Sequence, residues 1–426
     1  MGQFLGIFFF FLITGVPIAL ALGVGGVIYL FLTGNGMLIL NFPQRMLAGV
    51  DQFVLLTIPL FLLAGMLMNV GGITDRIITF ARAMVGHRRG GMSSVTVLSS
   101  MFFAGISGSA TAEAPALGSI LIPSMARQGM PAAYAAALVG VSAIMGPIIP
   151  PSITMIVYGV LSGASIGQLF IAGVVPGILL TTGFLLYASW RARRDSFAIT
   201  DKASWEARKA AIVRTFPALM LPVIIIVGIK GGIFTATESA AVAVVYALII
   251  GFVYRDLDVT RLWHALAATA ISTSAIMFIV AMASIVSFVF AIEQVPMKVA
   301  ATVLSISDNP YLVMLMLNVV LLVLGMFLEP ISILILTMPI LMQMAKVIGM
   351  DLVQFGMMVV LNVVIGMATP PVGICLFIVC AISGKSLIEV SKEALPLLGI
   401  ALIVLALVAL VPPVSLFLPH AFGTVQ

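Results

Sequence analysis

The chain is poor in charge. Asp, Glu, Lys and Arg make up 8% of its 426 residues, whereas 62% of the residues are hydrophobic. Soluble domains carry about 25% charged residues, so this composition excludes a soluble globular protein. The net charge of +5 is small and lies in loops, which indicates membrane topology rather than nucleic-acid binding.

Metal, redox and nucleotide motifs are also missing from the sequence. Cys375 and Cys380 lie five residues apart in one apolar segment, so neither a structural disulfide nor a metal site is expected. The three histidines, His87, His264 and His420, are scattered. Because there is no Walker A loop, HExxH helix or GxSxG elbow, the sequence disfavours an ATP-driven pump and gives no sign of an enzyme.

Long apolar runs, in contrast, recur from end to end. Runs near or above about 18 residues are typical of helical membrane proteins, so we expect an all-α polytopic membrane protein. Thr74–Gly86 places Asp75, Arg76 and Arg82 at helical spacing and is predicted to lie along the membrane interface. The predicted spans are Phe4–Phe31, with a possible kink at Gly15 and Pro17, and Phe53–Val70, Leu169–Trp190, Thr215–Ile229, Phe234–Tyr254, Ala268–Ile292 and Leu395–Leu418.

Two further apolar segments are interrupted by glycine and proline. Pro131–Gly163 contains MGPIIPPSITMIVYG, and Leu352–Ser383 contains MATPPVGICLF. Proline lacks an amide hydrogen and its ring clashes with the preceding turn, so no continuous helix passes through either motif. Pro370-Pro371 follows Pro150-Pro151 by 220 residues, and in transporters matched interruptions of this kind indicate the binding site. We therefore expect two discontinuous helices that meet at mid-membrane.

A pair of half-length helices precedes each interrupted segment. A polar turn at membrane depth is tolerated only inside protein or beside water, so each pair is predicted to form a re-entrant hairpin. Alternatively, the prolines are simple kinks and the small tip residues only permit close helix packing. The arms are Met92–Gly105 and Ala114–Met125 around a tip with Gly105, Ser107, Gly108, Ser109 and Thr111, and Tyr311–Leu324 and Ser332–Lys346 around the tip Gly325–Ile331.

The order of hairpin, broken helix and span occurs in both halves and predicts a repeat. We divide the chain into a first repeat 1–194, a basic cytoplasmic loop 195–214 and a second repeat 215–426. Because basic residues concentrate in cytoplasmic loops, the loop 195–214 is predicted to lie on the cytoplasmic side of the membrane. Three predicted spans separate it from the second hairpin, so the two hairpins enter from opposite faces, as an inverted repeat requires.

Broken helices leave unpaired backbone groups where one half ends and the other begins. Free carbonyls suit a hard cation, and free amides at a helix N-terminus favour an anion. An all-oxygen site of this kind suits sodium. The candidate sodium ligands are Ser107, Ser109, Thr111, Gly146 and Pro147 at a first site, and Gly325, Gly366, Ala368 and Thr369 at a second.

Three carboxylates, Glu113, Glu238 and Glu329, also lie in apolar surroundings. An ionisable group in a membrane segment is a functional candidate. The alternative is that each of them caps a helix N-terminus. The sequence leaves both readings open.

Four motifs resemble the large membrane subunit of the tripartite ATP-independent periplasmic (TRAP) transporters. They are GISGSATAEAPALGSILIPSM, MGPIIPPSITMIVYG, GGIFTATESAAVAVVYAL and GMATPPVGICLF, and they occur in order over nearly the whole chain. The resemblance implies a multi-pass protein of the bacterial inner membrane that imports an organic acid by a sodium-coupled elevator movement. The acid would be a C4-dicarboxylate, a sialic acid or another sugar acid.

The resemblance also implies partners and a substrate site. The partners, besides membrane lipid, are a small four-helix membrane subunit, expected as a separate polypeptide, and a periplasmic substrate-binding protein. The hairpin tips and broken helices would hold the acid, which assigns Ser107, Gly108, Ser109, Pro150, Ser152, Pro370 and Pro371 to the substrate.

Three alternatives remain at this point. The same broken helices would line a passive channel, and a proton would replace sodium in a proton-coupled anion transporter, although few buried carboxylates are available for it. An intramembrane enzyme is disfavoured because no nucleophile and base lie at helical spacing within one span.

Overall fold

The structure is a computed structural model that describes residues 2–197, 199 and 202–422. The described residues form α-helices joined by turns and short 3-10 segments. Eight of these helices are long and apolar enough to cross a membrane. The prediction of an all-α polytopic membrane protein is therefore confirmed.

The helices form two repeats, and in each a hairpin is followed by a broken helix and then by a long helix. Five precede the first hairpin: α1 (Gly2–Ile13), α2 (Ile18–Leu32), α3 (Phe42–Val50), α4 (Thr57–Val70) and α5 (Ile73–Val85). The first repeat continues with α6 (Gly91–Ser107), α7 (Ala110–Arg127), α8 (Ala132–Ser142), α9 (Ile153–Ser162) and α10 (Ile166–Arg194). The second repeat contains α11 (Trp205–Lys230), α12 (Ala236–Val253), α13 (Val259–Ile292), α14 (Val295–Ile306), α15 (Pro310–Phe327), α16 (Pro330–Ile348), α17 (Leu352–Gly366), α18 (Ile374–Ser383), α19 (Leu387–Leu410) and α20 (Pro413–Ala421).

Both predicted hairpins are present, with shorter tips than expected. Hairpin one is α6 and α7, which pack side by side and are joined by Gly108 and Ser109 alone. Hairpin two is α15 and α16, joined by Leu328 and Glu329. Gly105, Thr111 and Gly325 therefore lie in helical arms and not in the turns. Each tip is a two-residue turn between long arms, so the last carbonyls of one arm and the first amides of the next lie close together without intrahelical partners.

Both broken helices are confirmed. The first is α8 and α9, and the chain between them passes through a 3-10 turn, Ala143–Met145, and the segment from Gly146 to Ser152. The second is α17 and α18, separated by the segment from Met367 to Gly373. The Pro-Pro peptide bond in each break is cis. The two breaks thus match in position and in backbone form.

The halves of the two broken helices pack crosswise. The Tyr158 ring of α9 covers Gly356 of α17, where any Cβ would overlap the ring, and its hydroxyl donates to the Leu352 carbonyl at 2.9 Å. On the other side, a Cβ at Gly140 of α8 would lie 3.1 Å from Val379 of α18. Through this exchange of partners, the two broken helices belong to one buried core.

A second group of helices packs beside this core. The helix α13 contacts α2, α3 and α4, while α4 also packs along α12. The amphipathic α5 buries Ile73, Ile77 and Ala81 on one face and packs against α6 and α11, so it connects this group to hairpin one.

Three predicted boundaries are wrong. Phe4–Phe31 is not one span, because Gly15 has φ +82° and Pro17 follows it, and the chain reverses so that Phe4 packs edge-on against Tyr29 at 6.0 Å. The last span ends at Leu410, since the paired prolines that follow cannot continue a helix. The second half of the predicted basic loop is helical, because α11 begins at Trp205 with Ser204 as its N-cap.

Candidate functional site

A cavity of about 400 Å³ lies where the two hairpin tips meet the broken helices. Hairpin one supplies one wall, Glu329 and Pro330 of hairpin two supply another, and Pro147 and Met367 bring in both breaks. The side away from the core is closed by α4 and α13 through Gly65, Asn69, Ser272 and Ile276, among others. Both hairpin tips and both breaks therefore line one cavity, as the sequence predicts.

The tip of hairpin one presents backbone amides and hydroxyls to this cavity. Gly108 has φ +60°, and a Cβ there would lie 2.6 Å from the Pro151 carbonyl oxygen, so glycine is needed for the turn and for the close approach. Ser109 and Thr111 hydroxyls lie 3.1 Å apart. The Ser109 side chain does not cap α7, so the first-turn amides at Ala110 to Ala112 face the cavity as donors.

Glu113 lies behind the same tip, away from the cavity. Its side chain is fully buried; the Ser100 hydroxyl interacts with the carboxylate, and no basic residue forms an ion pair with it among the described residues. A Cβ at Gly146 would lie 3.0 Å from Glu113 Oε2, so the carboxylate abuts the first break. A buried charge without a counter-charge is strongly unfavourable, so this position favours a bound cation or a proton.

Hairpin two contacts the second break through its backbone. A Cβ at Gly325 would lie 3.0 Å from Gly366 Cα and 2.8 Å from the Val363 carbonyl oxygen. The Gly373 amide donates to the Met326 carbonyl at 3.1 Å. Side-chain ligands are few here, since Thr369 Oγ1 donates to the Ile365 carbonyl of its own helix at 2.8 Å.

The structure brings together only part of the predicted site. The predicted residues that line the cavity are Ser107, Gly108, Ser109, Thr111 and Pro147. Those that do not line it are Gly146, Pro150, Ser152, Gly325, Gly366, Ala368, Thr369, Pro370 and Pro371. Of the second group, Gly146 contacts Glu113, and Gly325 and Gly366 contact each other.

Ser152 and the paired prolines shape the breaks. Ser152 Oγ accepts from the Met155 amide at 3.2 Å, which makes Ser152 the N-cap of α9, and it donates to the Pro147 carbonyl at 2.5 Å. Pro371 is exposed at the edge of the second break. These positions do not face the cavity, and the structure gives no support to their assignment as substrate contacts.

The three carboxylates have different environments. Glu238 forms a capping box with Thr235: the Thr235 amide donates to Glu238 Oε2 at 2.7 Å, and the Glu238 amide donates to Thr235 Oγ1 at 3.2 Å. The capping alternative is thus correct for Glu238. Glu329 occupies the N-cap position of α16 without a capping hydrogen bond and lines the cavity. Glu113 caps nothing, as described above.

Polar side chains that the sequence analysis did not identify also belong to this region. Asn69, Thr154 and Ser272 line the cavity. Thr74 Oγ1 donates to Asn69 Oδ1 at 2.9 Å, which leaves the Asn69 amide N–H groups to donate into the cavity. Nothing in the sequence marks Asn69 or Ser272, because their positions depend on how α4 and α13 pack.

One buried polar residue lies one helical turn before each break, at matching positions of the two repeats. Ser142 precedes Gly146 by four residues, and Asn362 precedes Gly366 by four. Both side chains are fully buried, and Ser142 Oγ and Asn362 Oδ1 have no partner among the described residues. A polar residue at the same repeat position in otherwise apolar runs is a pattern that the sequence could have revealed.

Comparison with known sequences identifies the family. Residues 5–414 match the family described as the tripartite ATP-independent periplasmic transporter, DctM component. The chain belongs to this family. As a TRAP transporter permease it is a membrane transport protein and not an enzyme, which confirms the interpretation of the four motifs.

Several relatives of this TRAP permease match over most of their length. The sialic acid TRAP transporter large permease protein of Vibrio cholerae is 39% identical over 413 residues, 96% of each chain. The C4-dicarboxylate TRAP transporter large permease protein of Rhodobacter capsulatus is 37% identical, with 98% of each chain covered. The isethionate TRAP transporter permease protein of Oleidesulfovibrio alaskensis is 36% identical over 97% of this chain and 65% of its own length.

A solved structure shares the fold. The YdaH transporter of Alcanivorax borkumensis, described as having an unusual topology, aligns with a TM-score of 0.61 over 89% of this chain and 90% of its own. At 14% identity the likeness concerns the fold alone.

Proposed function

We propose that the chain is the permease subunit of a sodium-coupled secondary transporter that imports an organic acid. The observation that carries the proposal is the cavity bounded by both hairpin tips and both breaks. The relatives transport sialic acid, C4-dicarboxylates or isethionate according to their names. Each of these solutes carries a carboxylate or sulfonate, so an anion is the common chemistry that the cavity would accept.

The N-terminus of α7 is the proposed anion site. Helix N-termini bind anions because their amides are unpaired and the helix dipole favours negative charge. The hydroxyls of Ser107, Ser109 and Thr111 lie at the same tip and would donate to further solute oxygens. None of the described residues that line the cavity is basic, so amides and hydroxyls would replace the arginine common in soluble carboxylate sites.

A cation is needed to balance the negative charges of the solute and of the carboxylates near the cavity. Glu329 lines the cavity and Glu113 lies buried behind the tip, so an acid entering the cavity meets one carboxylate directly, has a second one close by, and meets no basic side chain. Sodium beside Glu113 and the Gly146 break would neutralise one of them. Linkage is reciprocal, so a cation that raises the affinity for the acid is itself bound more tightly when the acid is present.

The first cation site fits sodium better than the second. Glu113 supplies two carboxylate oxygens beside the backbone of the first break, with the Ser100 hydroxyl near them. At the second break, Gly325 and Gly366 are in backbone contact, so carbonyl oxygens of this turn would be the principal ligands, with Asn362 Oδ1 one turn away. Hard oxygen donors of both kinds match a hard monovalent cation.

The proposed movement is that of an elevator. The two hairpins and two broken helices interlock through the Tyr158–Gly356 and Gly140–Val379 contacts and would move as one block. The fixed part would be the group of helices around α4, α12 and α13. A small four-helix membrane subunit and a periplasmic substrate-binding protein are the proposed partners, the latter delivering the acid.

Uptake into proteoliposomes tests the function. The chain is reconstituted with its small subunit and binding protein, and uptake of labelled sialic acid, succinate and isethionate is measured under an inward sodium gradient. We expect accumulation of one solute that stops when choline replaces sodium and when the binding protein is left out. Uptake that continues in choline but stops with a protonophore would indicate proton coupling, and conductance without the binding protein would indicate a channel. Either result would contradict the proposal.

A further inference from the structure

Two further cavities lie along the same face of α13 as the central one. A cavity of about 190 Å³ is lined by α13 residues Val280, Ala283, Ser284 and Ser287. A third cavity, about 560 Å³, shares Ser284 and Ser287 with it and extends to Ile292. The central cavity uses Ser272, Ala275, Ile276 and Ile279 of the same helix. These positions recur at helical spacing, so one stripe of α13 lines all three spaces.

The same neighbouring helices bound the first two cavities. On α16 the lining passes from Ile331 in the central cavity to Ile335 in the next, one helical turn along. On α9 it passes from Thr154 to Leu161, two turns along. The spaces therefore follow one another between the block that carries the hairpins and the helix α13 beside it.

Arg45 of α3 lines the last of these cavities and is its basic group. Its side chain is exposed and lies over the Phe288 ring at 4.5 Å. Among the described residues, no acidic side chain lies within ion-pair distance of it. No basic residue lines the other two cavities. The guanidinium of Arg45 thus has no ion-pair partner among the described residues and lies at the outer end of the row of cavities, which we call the mouth.

The position of Arg45 is fixed by close packing. Gly49 of α3 lies against Ser284 of α13, where any Cβ would overlap the serine hydroxyl. The distribution of basic residues places the α11 N-terminus in the cytoplasm, and α11, α12 and α13 are three crossings, so the Ile292 end of α13 faces the periplasm. The mouth beside Arg45 opens on the side from which the acid would arrive.

We propose that this row of cavities is the periplasmic entrance for the anionic solute, with Arg45 as its first contact. The inference rests on the proposed function and adds a route and a recognition residue to it. The guanidinium attracts a carboxylate at the outer cavity, and Ser284 and Ser287 line the path further in, where the Ser284 hydroxyl donates to the Val280 carbonyl. The attraction acts on arrival, because Arg45 does not line the central cavity at the hairpin one tip.

Uptake kinetics of Arg45→Gln test the role of the charge. Because a focused charge of this kind acts on association rates, by about tenfold or more at low salt, KM should rise about threefold to tenfold while kcat stays the same. Arg45→Lys should restore most of the effect, and added salt should remove the difference between the wild type and Arg45→Gln. The matched control is Lys298→Gln, an exposed cation on the same face that lines none of the three cavities.

Cysteine accessibility tests the route independently of transport. In a Cys375→Ser, Cys380→Ser background, Ser284→Cys and Ser287→Cys should react with a membrane-impermeant thiosulfonate added from the periplasmic side, and bound solute should slow the reaction. Ser274→Cys, on the outward face of α13, is the control and should stay unreactive.

Three results would overturn the inference and leave the proposed function intact. The first is wild-type KM in Arg45→Gln. The second is unreactive cysteines at both path positions in a transporter that is active. The third is loss of the small subunit from purified Arg45→Gln complexes, which would make Arg45 a subunit contact. Failure of the wild-type complex to take up any acid would instead contradict the function itself.

Discussion

Gly325 of hairpin two and Gly366 of the second broken helix touch backbone to backbone. A Cβ at Gly366 would lie 2.6 Å from the Gly325 carbonyl carbon, a distance that side-chain carbons do not adopt. The two residues come from different helices, and neither side can yield without moving a helix. This contact joins hairpin two to the second break. At the first site, Gly108 of hairpin one contacts Pro151 of the first break in the same way.

Gly366→Ala should therefore separate hairpin two from its broken helix. Overpacking in a tightly packed core costs about 1–3 kcal/mol, so we expect a lower melting temperature in detergent and loss of most sodium-dependent uptake. Gly399→Ala is the control, because a Cβ there meets nothing within 4 Å. Normal uptake by Gly366→Ala would show that the backbone contact is not needed for transport.

Glu113→Gln should alter the response to sodium. The substitution keeps the size of the side chain and removes the charge beside Gly146, so the apparent affinity for sodium should fall by about tenfold, as expected for loss of a charge-assisted contact of about 1.4 kcal/mol or more. Uptake rates measured against sodium concentration provide the test, with the exposed Glu206→Gln as control. An unchanged sodium curve would exclude Glu113 from the cation site.

Asn69→Leu should weaken solute binding. A hydrogen bond to a charged acceptor contributes about 1.5–3 kcal/mol, so KM for the acid should rise about tenfold, whereas sodium affinity should change little. Thr74→Val should give a smaller rise in KM, because it removes the hydroxyl that holds Asn69 Oδ1. Asn35→Leu, in an exposed turn, is the control. If Asn69→Leu leaves KM unaltered, Asn69 does not contact the solute.

Ser152→Ala should lower stability and leave solute affinity unchanged. The hydroxyl caps α9 and donates to the Pro147 carbonyl, and loss of an N-cap costs about 1 kcal/mol. Thermal unfolding of the purified protein should report the loss, and Ser152→Thr should retain most of the stability. A rise in KM without loss of stability would instead place Ser152 at the substrate, as the sequence analysis expected.

The sequence predicted those features that depend on local chemistry. Paired prolines cannot sit inside a helix, so both breaks were found at Pro150-Pro151 and Pro370-Pro371, and the glycine-rich tip of hairpin one followed from the same reasoning. Gly15 and Pro17 predict a kink in the first span, but not that the chain reverses there, because the apolar run continues through them. Apolarity alone cannot distinguish one long span from two short helices that pack on each other.

The site could be predicted only in part. The wall opposite hairpin one comes from α4 and α13, which are far from the hairpin tip in sequence. Ser107, Ser109 and Thr111 were identified because the tip itself is polar. Asn69 and Ser272 reach the cavity through the packing of α4 and α13, which no spacing in the sequence encodes. The sequence does not decide the role of Glu113, because a carboxylate four residues after a serine resembles a helix cap, and only the structure shows that Glu113 caps no helix.

A density map of the assembled transporter with sodium and its acid, at side-chain resolution, tests the central claim most directly. We predict density for the acid in the cavity between Ser109 and Glu329, with its charged group at the α7 N-terminus, and a cation between Glu113 and the Gly146 break. An acid bound elsewhere, or Glu113 enclosed by protein groups alone in the sodium-bound state, would contradict the account.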